Sequence, residues 1–395
     1  MASINRKEAR LSHDLTVQAL ALCVAEGVPV VLWGPPGTGK TSTINTISRA
    51  HKMHLETVIA SIREPSDFFG LPYFENGFTR TAAPVWVGNV LDAKQKGMDS
   101  IVFYDEISTA PPATQAALLR PILEGYVGDT KLPDTTRTVA AANPPDIAAD
   151  GWELSPPAAN RFVHLTWEPS ASDISDGFIN GWKTARIPVT GSPEERRAAI
   201  KKARVTIGTF IKRNPKYATK LPDDSNLSSD FDAYNYAFPT PRSWEMAARL
   251  YASAMTSYIP LPNGEKRGVP LSVFLTLLNG CVGVDAAGEF IPFMKSLDLA
   301  DPETVIGSPE SAAIPSRGDQ LQALLSALDA YVDYSNHEQY EAYGVFLARL
   351  IENGKGDAAS TALNLWLAKK PDNYNWSPKI QHALTSFTKK VRNLS

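Results

Sequence analysis

The stretch VVLWGPPGTGKTST, Val30–Thr43, passes directly from four apolar residues into three glycines, two prolines and a lysine. A short apolar run closed by a turn signal reads as a buried strand. The loop after it cannot pack a core, and its composition needs another reason. Gly34-Pro35-Pro36-Gly37-Thr38-Gly39-Lys40-Thr41 has the spacing of a glycine, four residues and Gly-Lys-Thr that cradles phosphate. Glycines let the backbone curl with its N–H groups inward, at the positive end of a helix expected to begin near Lys40. Lys40 is then placed to neutralise β and γ phosphates, Thr41 to offer its hydroxyl to Mg2+, and Ser42 to continue the cradle into the helix. A chance glycine-rich turn is the plain alternative; the strand before and the helix after argue against it. On this reading the loop need not pack because a triphosphate fills it.

Outward from the loop, residues up to about Glu168 alternate short apolar runs with amphipathic stretches, the pattern of a parallel sheet between helices. VPVVLW, HLETVIAS, SIVFY, RTVAAA and FVHLTW are the strand candidates, and LSHDLTVQALALCVAEG reads as a helix ended by Gly27. Beyond TWEPSASDISDGF the β-branched runs thin and helical spacing takes over, in EERRAAIKKARVTIGTFIKR and RSWEMAARLYASAMTSYI. The polar segment LPDDSNLSSDFDAYNY between them reads as a long loop. A break at DPETVIGSPESAAIPSRGD precedes QLQALLSALDAYV, YEAYGVFLARLIENG and KIQHALTSFTKKVRNL, again helical.

A chain of 395 residues suggests two or three domains. With 39 Lys+Arg against 42 Asp+Glu, a net charge of -3, no global basic field draws it to nucleic acid or anionic membrane. Cys23 and Cys281 have neither metal-ligand spacing nor the numbers of a disulfide framework, and are expected as buried apolar residues in a reducing compartment. The polar start MASINRKEARLSHDL is not expected to be a signal peptide, and no stretch is expected to reach a membrane span. The protein is therefore expected to be cytoplasmic.

Phosphoryl transfer needs metal, water positioning and further cations besides a cradle. SIVFYDEIS ends an apolar strand in two acids: Asp105 can hold a Mg2+ water shell and Glu106 can orient the attacking water. Adjacent acids are also common in a solvated turn, but the phosphate loop upstream favours chemistry.

GPPGTGKT, VFYDEISTAPPATQAALLRPILEG, TVAAANPPD, LSPPAANRF and PTPRSWEMA, in this order, resemble the motif series of AAA+ ATPases, specifically the MoxR-type branch. The resemblance covers roughly the first 250 residues, and CVGVDAAGEFIPFMKSLDLADPETVI is similar to the end of that family's helical lid; nothing comparable extends past about Asp301. It implies an α/β fold: a P-loop core, a parallel five-stranded sheet between helices, over 1–170 with an inserted hairpin near 66–90. A helical lid over 171–300 and a helical C-terminal extension over 301–395 would follow. It also implies that Gly34 to Ser42 bind ATP, that Thr41 and Asp105 serve Mg2+, and that Glu106 is the catalytic acid. Asn143 would be the polar sensor, Arg161 an arginine acting on a neighbour's nucleotide, and Arg242 the lid arginine that reaches the γ phosphate. The family pattern often reads Asp-Arg-Phe where this chain has Asn160-Arg161-Phe162.

The insert, ENGFTRTAAPVWVGNVLDAKQKG, and the residues before it carry Phe68, Phe69, Tyr73, Phe74 and Phe78. Packing of the hairpin base is the more ordinary role for these rings, with grip on a substrate as the alternative. The basic run RRAAIKKARVTIGTFIKRNPKYATK lacks interleaved aromatics and reads as the solvated face of a helix. The resemblance implies a ring, of six subunits in the family. In it ATP turnover would remodel, activate or load metal into a client, often a protein with a von Willebrand factor A domain. A nucleic-acid-dependent loader or translocase and a nucleotide-gated scaffold with little hydrolysis are the rival readings.

Overall fold

The computed structural model describes residues 6–144, 152, 154–181, 185–221, 233–261, 263–297, 300, 302–371 and 374–392. Helix α1 (Arg6–Glu26) stops at Gly27, whose φ of 67° suits a glycine. Strand β1 (Val30–Trp33) is buried throughout, and α2 (Lys40–Ala50) starts at the lysine. Next come β2 (His54–Ile59), a turn of helix α3 (Ser66–Phe69) and the antiparallel hairpin of β3 (Leu71–Glu75) and β4 (Phe78–Ala82). Asn76 and Gly77 reverse that hairpin at φ of 52° and 80°, the left-handed pair that an Asn-Gly turn supplies. Helix α4 (Val85–Gln95) leads to β5 (Ser100–Asp105), α5 (Pro112–Glu124) and the small hairpin β6 (Tyr126–Val127) and β7 (Thr130–Lys131). The core closes with β8 (Thr136–Ala142), a turn of helix α6 (Pro156–Ala159) and β9 (Val163–Thr166).

The five expected strands form one parallel sheet in the order β2-β5-β8-β1-β9. Parallel strands put all their C-terminal ends at one edge, so the loop after β1, Asp105 at the tip of β5 and Asn143 after β8 share an edge without being near in sequence. Alternate residues Val31, Trp33, Val102, Tyr104, Ala140 and Ala142 join Phe68, Trp86 and Leu118 in one buried cluster. Burying a Phe-sized side chain contributes roughly 1.5–3 kcal/mol. That cluster therefore fixes the edge firmly.

Helix α7 (Ala171–Asn180) opens with a reciprocal Ser170–Asp173 capping box, and α8 (Pro193–Arg213) carries the basic run. Most of the polar segment expected as a loop lies outside the described residues; its end, Ala233–Tyr236, is a short 3-10 turn. Helix α9 (Pro241–Thr256) starts with Pro241 behind a Thr240–Ser243 capping box. A ribbon of β10 (Tyr258–Pro260) and β11 (Lys266–Gly268) precedes α10 (Leu271–Leu297), followed by α11 (Pro302–Gly307), α12 (Gly318–Tyr331), α13 (His337–Glu352), α14 (Gly356–Ala368) and α15 (Pro378–Arg392). By packing, the chain forms two compact units, Met1–Arg196 with Asn214–Gly288 and Arg197–Arg213 with Glu289–Ser395. The second has its own core around Leu324, Leu328, Tyr340, Tyr343, Phe346 and Trp366.

One expectation needs correction. Leu271–Lys295 is long and apolar enough, by length and composition alone, to cross a membrane. Its most apolar 18-residue window is 56% buried inside the protein, and the helix is interrupted at Gly283, at φ 78° and ψ 161°, as suits a core helix. Cys23 and Cys281 are buried free thiols, with burial pushing both pKa values up.

Candidate active site

The glycine loop is braced from behind. A Cβ on Gly34 would stand 2.3 Å from the carbonyl oxygen of Trp167, so only glycine fits there. The Trp167 amide donates to the Trp33 carbonyl at 2.6 Å and its indole Nε1 to the Thr38 carbonyl at 3.1 Å. Gly37 and Gly39 hold φ of 76° and 90°, and the Thr38 hydroxyl donates to the Pro35 carbonyl at 2.7 Å. Pro36, Gly37, Thr41 and Ser42 are exposed around the loop.

Lys40 is buried, with Nζ donating to the carbonyls of Gly34 at 2.6 Å and Pro35 at 2.8 Å and lying 3.4 Å from Oδ1 of Asn143. Desolvation pulls its pKa down to about 8, opposed by the nearby Asp105. The Thr41 hydroxyl donates to Oδ2 of Asp105 at 3.2 Å, and the Glu106 amide to Oδ1 at 3.0 Å. Burial raises the Asp105 pKa, with those two hydrogen bonds pulling the other way. Among the described residues no group of three or more His, Cys, Asp and Glu gathers as a metal cage. One hydroxyl beside one carboxylate suits Mg2+, which keeps several waters and takes phosphate oxygens rather than a full set of protein ligands.

Glu106 sits in the left-handed region, φ 56° and ψ 38°, which turns its exposed side chain off the end of β5. Its Oε2 accepts a hydrogen bond from the Ser61 hydroxyl at 2.5 Å. Ser61 follows β2, the neighbour of β5, and Ile59 pairs with Asp105 in register. The Ser108 hydroxyl lies 3.0 Å from the Asn143 amide and 3.2 Å from its carbonyl, clamping the sensor backbone. Sequence reasoning missed both serines.

The two arginines lie elsewhere. Arg161 precedes β9 and so stands at the N-terminal edge of the sheet, away from the glycine loop. It lines a cleft of about 370 Å3 with Arg242, Glu124, Glu245 and Arg249, whose floor includes Pro29 and Thr136 at the strand starts. Its Nη1 donates to the Pro157 carbonyl, while its buried Nε has no partner among the described residues. Desolvation and then Arg242 lower its pKa, against Glu124. Asn160, where the resembling family often has aspartate, accepts from the Thr240 hydroxyl at 2.9 Å and so joins the Arg161 segment to the cap of α9. Its buried Nδ2 is also without a partner among the described residues.

Of the aromatic cluster only Phe68 packs inside; Phe69, Tyr73, Phe74 and Phe78 are exposed, Phe74 to 80%. Base packing therefore holds for one ring of the five. The hairpin is instead fastened by a reciprocal pair of backbone-to-side-chain bonds: the Thr81 amide donates to Oδ2 of Asp129 at 3.0 Å, and the Asp129 amide to Oγ1 of Thr81 at 2.7 Å.

The family model described as AAA domain (dynein-related subfamily) matches residues 29–162. Curated relatives include the Holliday junction branch migration complex subunit RuvB of Staphylococcus aureus strains JH9 and Newman, each 28% identical over 201 residues, 49% of this chain and 51% of the relative. The chain thus matches about half the length of those relatives. Among solved structures, a candidate ATPase from Cytophaga hutchinsonii aligns over 72% of this chain and 89% of its own, at 15% identity and a TM-score of 0.40. A full-length MCM homolog from Methanopyrus kandleri aligns over 74% and 62%, at 17% identity and a TM-score of 0.35.

Proposed function

We propose, from the AAA domain that residues 29–162 form, that this protein is a Mg2+-dependent ATPase working as a ring, and that it couples turnover to remodelling, activation or metal loading of a client protein. The observation that carries the reading is the convergence of Lys40, Thr41, Asp105, Glu106 and Asn143 at one sheet edge beside a braced glycine loop.

Lys40 exchanges the loop carbonyls it now bonds for phosphate oxygens, and the inward N–H groups bind the rest of the charge. Thr41 and Asp105 would hold Mg2+, which when bound neutralises charge on the phosphates. Glu106 polarises the attacking water, restrained by Ser61 until the water is in place, and Asn143 orients it. Four strand residues at about 3.3 Å each separate the edge of the glycine loop from the edge of the arginines. Arg161 and Arg242 therefore serve the nucleotide of an adjacent subunit, where the Nε of Arg161 and Nδ2 of Asn160, without partners among the described residues, would find acceptors. The six-membered ring, the MoxR-type assignment and a von Willebrand factor A domain client extend the sequence resemblance. So does the division into core, lid and C-terminal extension.

The similarity to RuvB supports a second reading, an ATPase stimulated by nucleic acid. Strong acceleration of turnover by DNA or RNA would favour it over a protein client. A scaffold that barely hydrolyses has no use for a water-polarising Glu106. The test separates binding from chemistry: Lys40→Ala should abolish ATP binding, while Glu106→Gln should bind ATP and lose turnover. Equal loss of nucleotide affinity in both would overturn the assigned roles.

A further inference from the structure

Three segments of the proposed machinery meet at one buried imidazole. His164, in β9, is fully buried. The Trp33 indole Nε1–H donates to its Nδ1 at 2.9 Å, and its Nε2 lies 2.9 Å from the Ala159 carbonyl. An indole only donates and a carbonyl only accepts, so the pair leaves one consistent tautomer, with the proton on Nε2. Burial holds the imidazole pKa down to about 4, so the ring stays neutral and both bonds persist at ordinary pH.

The third side is Tyr236. Its ring stacks on Trp33 with centroids 4.5 Å apart and planes 15° apart, and on His164 at 6.0 Å and 18°. Each contact leads to a working part. Trp33 is the last residue of β1, and Gly34 follows it. Ala159 ends α6, two residues before Arg161. Tyr236 lies six residues before Arg242, and the Phe238 carbonyl between them accepts from the Ser243 hydroxyl of the α9 cap at 2.9 Å.

We propose that His164 is a positioning residue for hydrolysis: it ties the arginine segment to the strand that enters the glycine loop, so that a subunit's own loop fixes the arginine it offers its neighbour. The inference rests on the shared-site reading above. A phenyl ring at this place could stack equally well but could make neither bond. The Ala159 carbonyl would then keep only the Phe162 amide of its own turn, at 3.1 Å, and the start of the Arg161 turn would lose its side-chain tie to β9. Displacing a catalytic group by about 1 Å can cost roughly a hundredfold in rate.

The test uses His164→Phe in full-length rings, with nucleotide affinity and turnover measured separately and mixed rings purified by two tags. Affinity should stay within about threefold of the parent while turnover falls roughly ten- to a hundredfold. In mixed rings, Lys40→Ala subunits keep an intact arginine, so they should restore turnover to His164→Phe loops. Arg161→Ala subunits should not, because neither partner then supplies a placed arginine. Damage to the subunit's own glycine loop gives the opposite pattern, rescue by Arg161→Ala and none by Lys40→Ala, and overturns the proposal. If His164→Phe does not fold, Trp33→Phe carries the same test, since it removes the donor while sparing the His164–Ala159 bond. The pair Arg161→Ala with Lys40→Ala separates the two levels. No rescue in that pair overturns shared sites and this inference together; rescue there, with none between His164→Phe and Lys40→Ala, overturns this inference alone.

Discussion

The ammonium of Lys40 is held by the carbonyls of its own loop, and burial brings its pKa to about 8. Near pH 8 a substantial share of lysines is therefore neutral, and a bound triphosphate restores the charge. ATP binding should take up protons at pH 8 and fewer at pH 6.5, and affinity should weaken as pH rises through 8. Calorimetry in two buffers of different ionisation enthalpy measures that uptake; equal heats at pH 8 would contradict it. For folding the sign is opposite. The folded pKa lies below the ordinary lysine value of 10.5, so between about 8 and 10.5 the unfolded chain binds more protons and this group favours the fold increasingly as pH rises. Lys40, Thr41, Asp105 and Glu106 were legible because their partners are local or sit in a fixed motif. Ser61 was not, since its link to Glu106 spans 45 positions and exists only once β2 lies beside β5. His164 was hidden for the same reason, with 131 positions between it and Trp33.

Among elements, the strands were readable because each is short, apolar and bounded by turn residues. Helix α10 was harder: it is apolar around much of its circumference, so it lacks the one-sided stripe that marks a helix. The inserted hairpin was expected, but not the way its rings point. Rings that face water contribute little to folding, so replacing Tyr73 and Phe74 together with alanine should leave the melting temperature within a few degrees. Basal ATPase should change by less than about threefold, while action on a client drops. A large loss of melting temperature would mean that the rings are buried in the working assembly instead. The mutual Thr81–Asp129 hydrogen bonds tie the hairpin to the turn between β6 and β7, upstream of β8, the strand that Asn143 follows.

For the whole molecule, the arginine cleft and the glycine loop lie at opposite ends of the strands, so on the proposed shared-site reading a lone subunit would be incomplete. Specific activity should rise with protein concentration as rings assemble, and Arg161→Ala should lower turnover by roughly a thousandfold with nucleotide binding retained. Full-rate hydrolysis by dilute monomer would rule this out. The brace behind the loop has a consequence of another kind. Trp167 is shielded from water, and its indole N–H bonds the Thr38 carbonyl inside the cradle. Indole emission depends on hydrogen bonding and on the local field, and the charge of a nucleotide would enter within a few residues of that bond. Titration with nucleotide should therefore change the protein's intrinsic fluorescence, and Trp167→Phe should remove most of the change while the other tryptophans remain. Occupancy of the loop could then be followed in real time without a label.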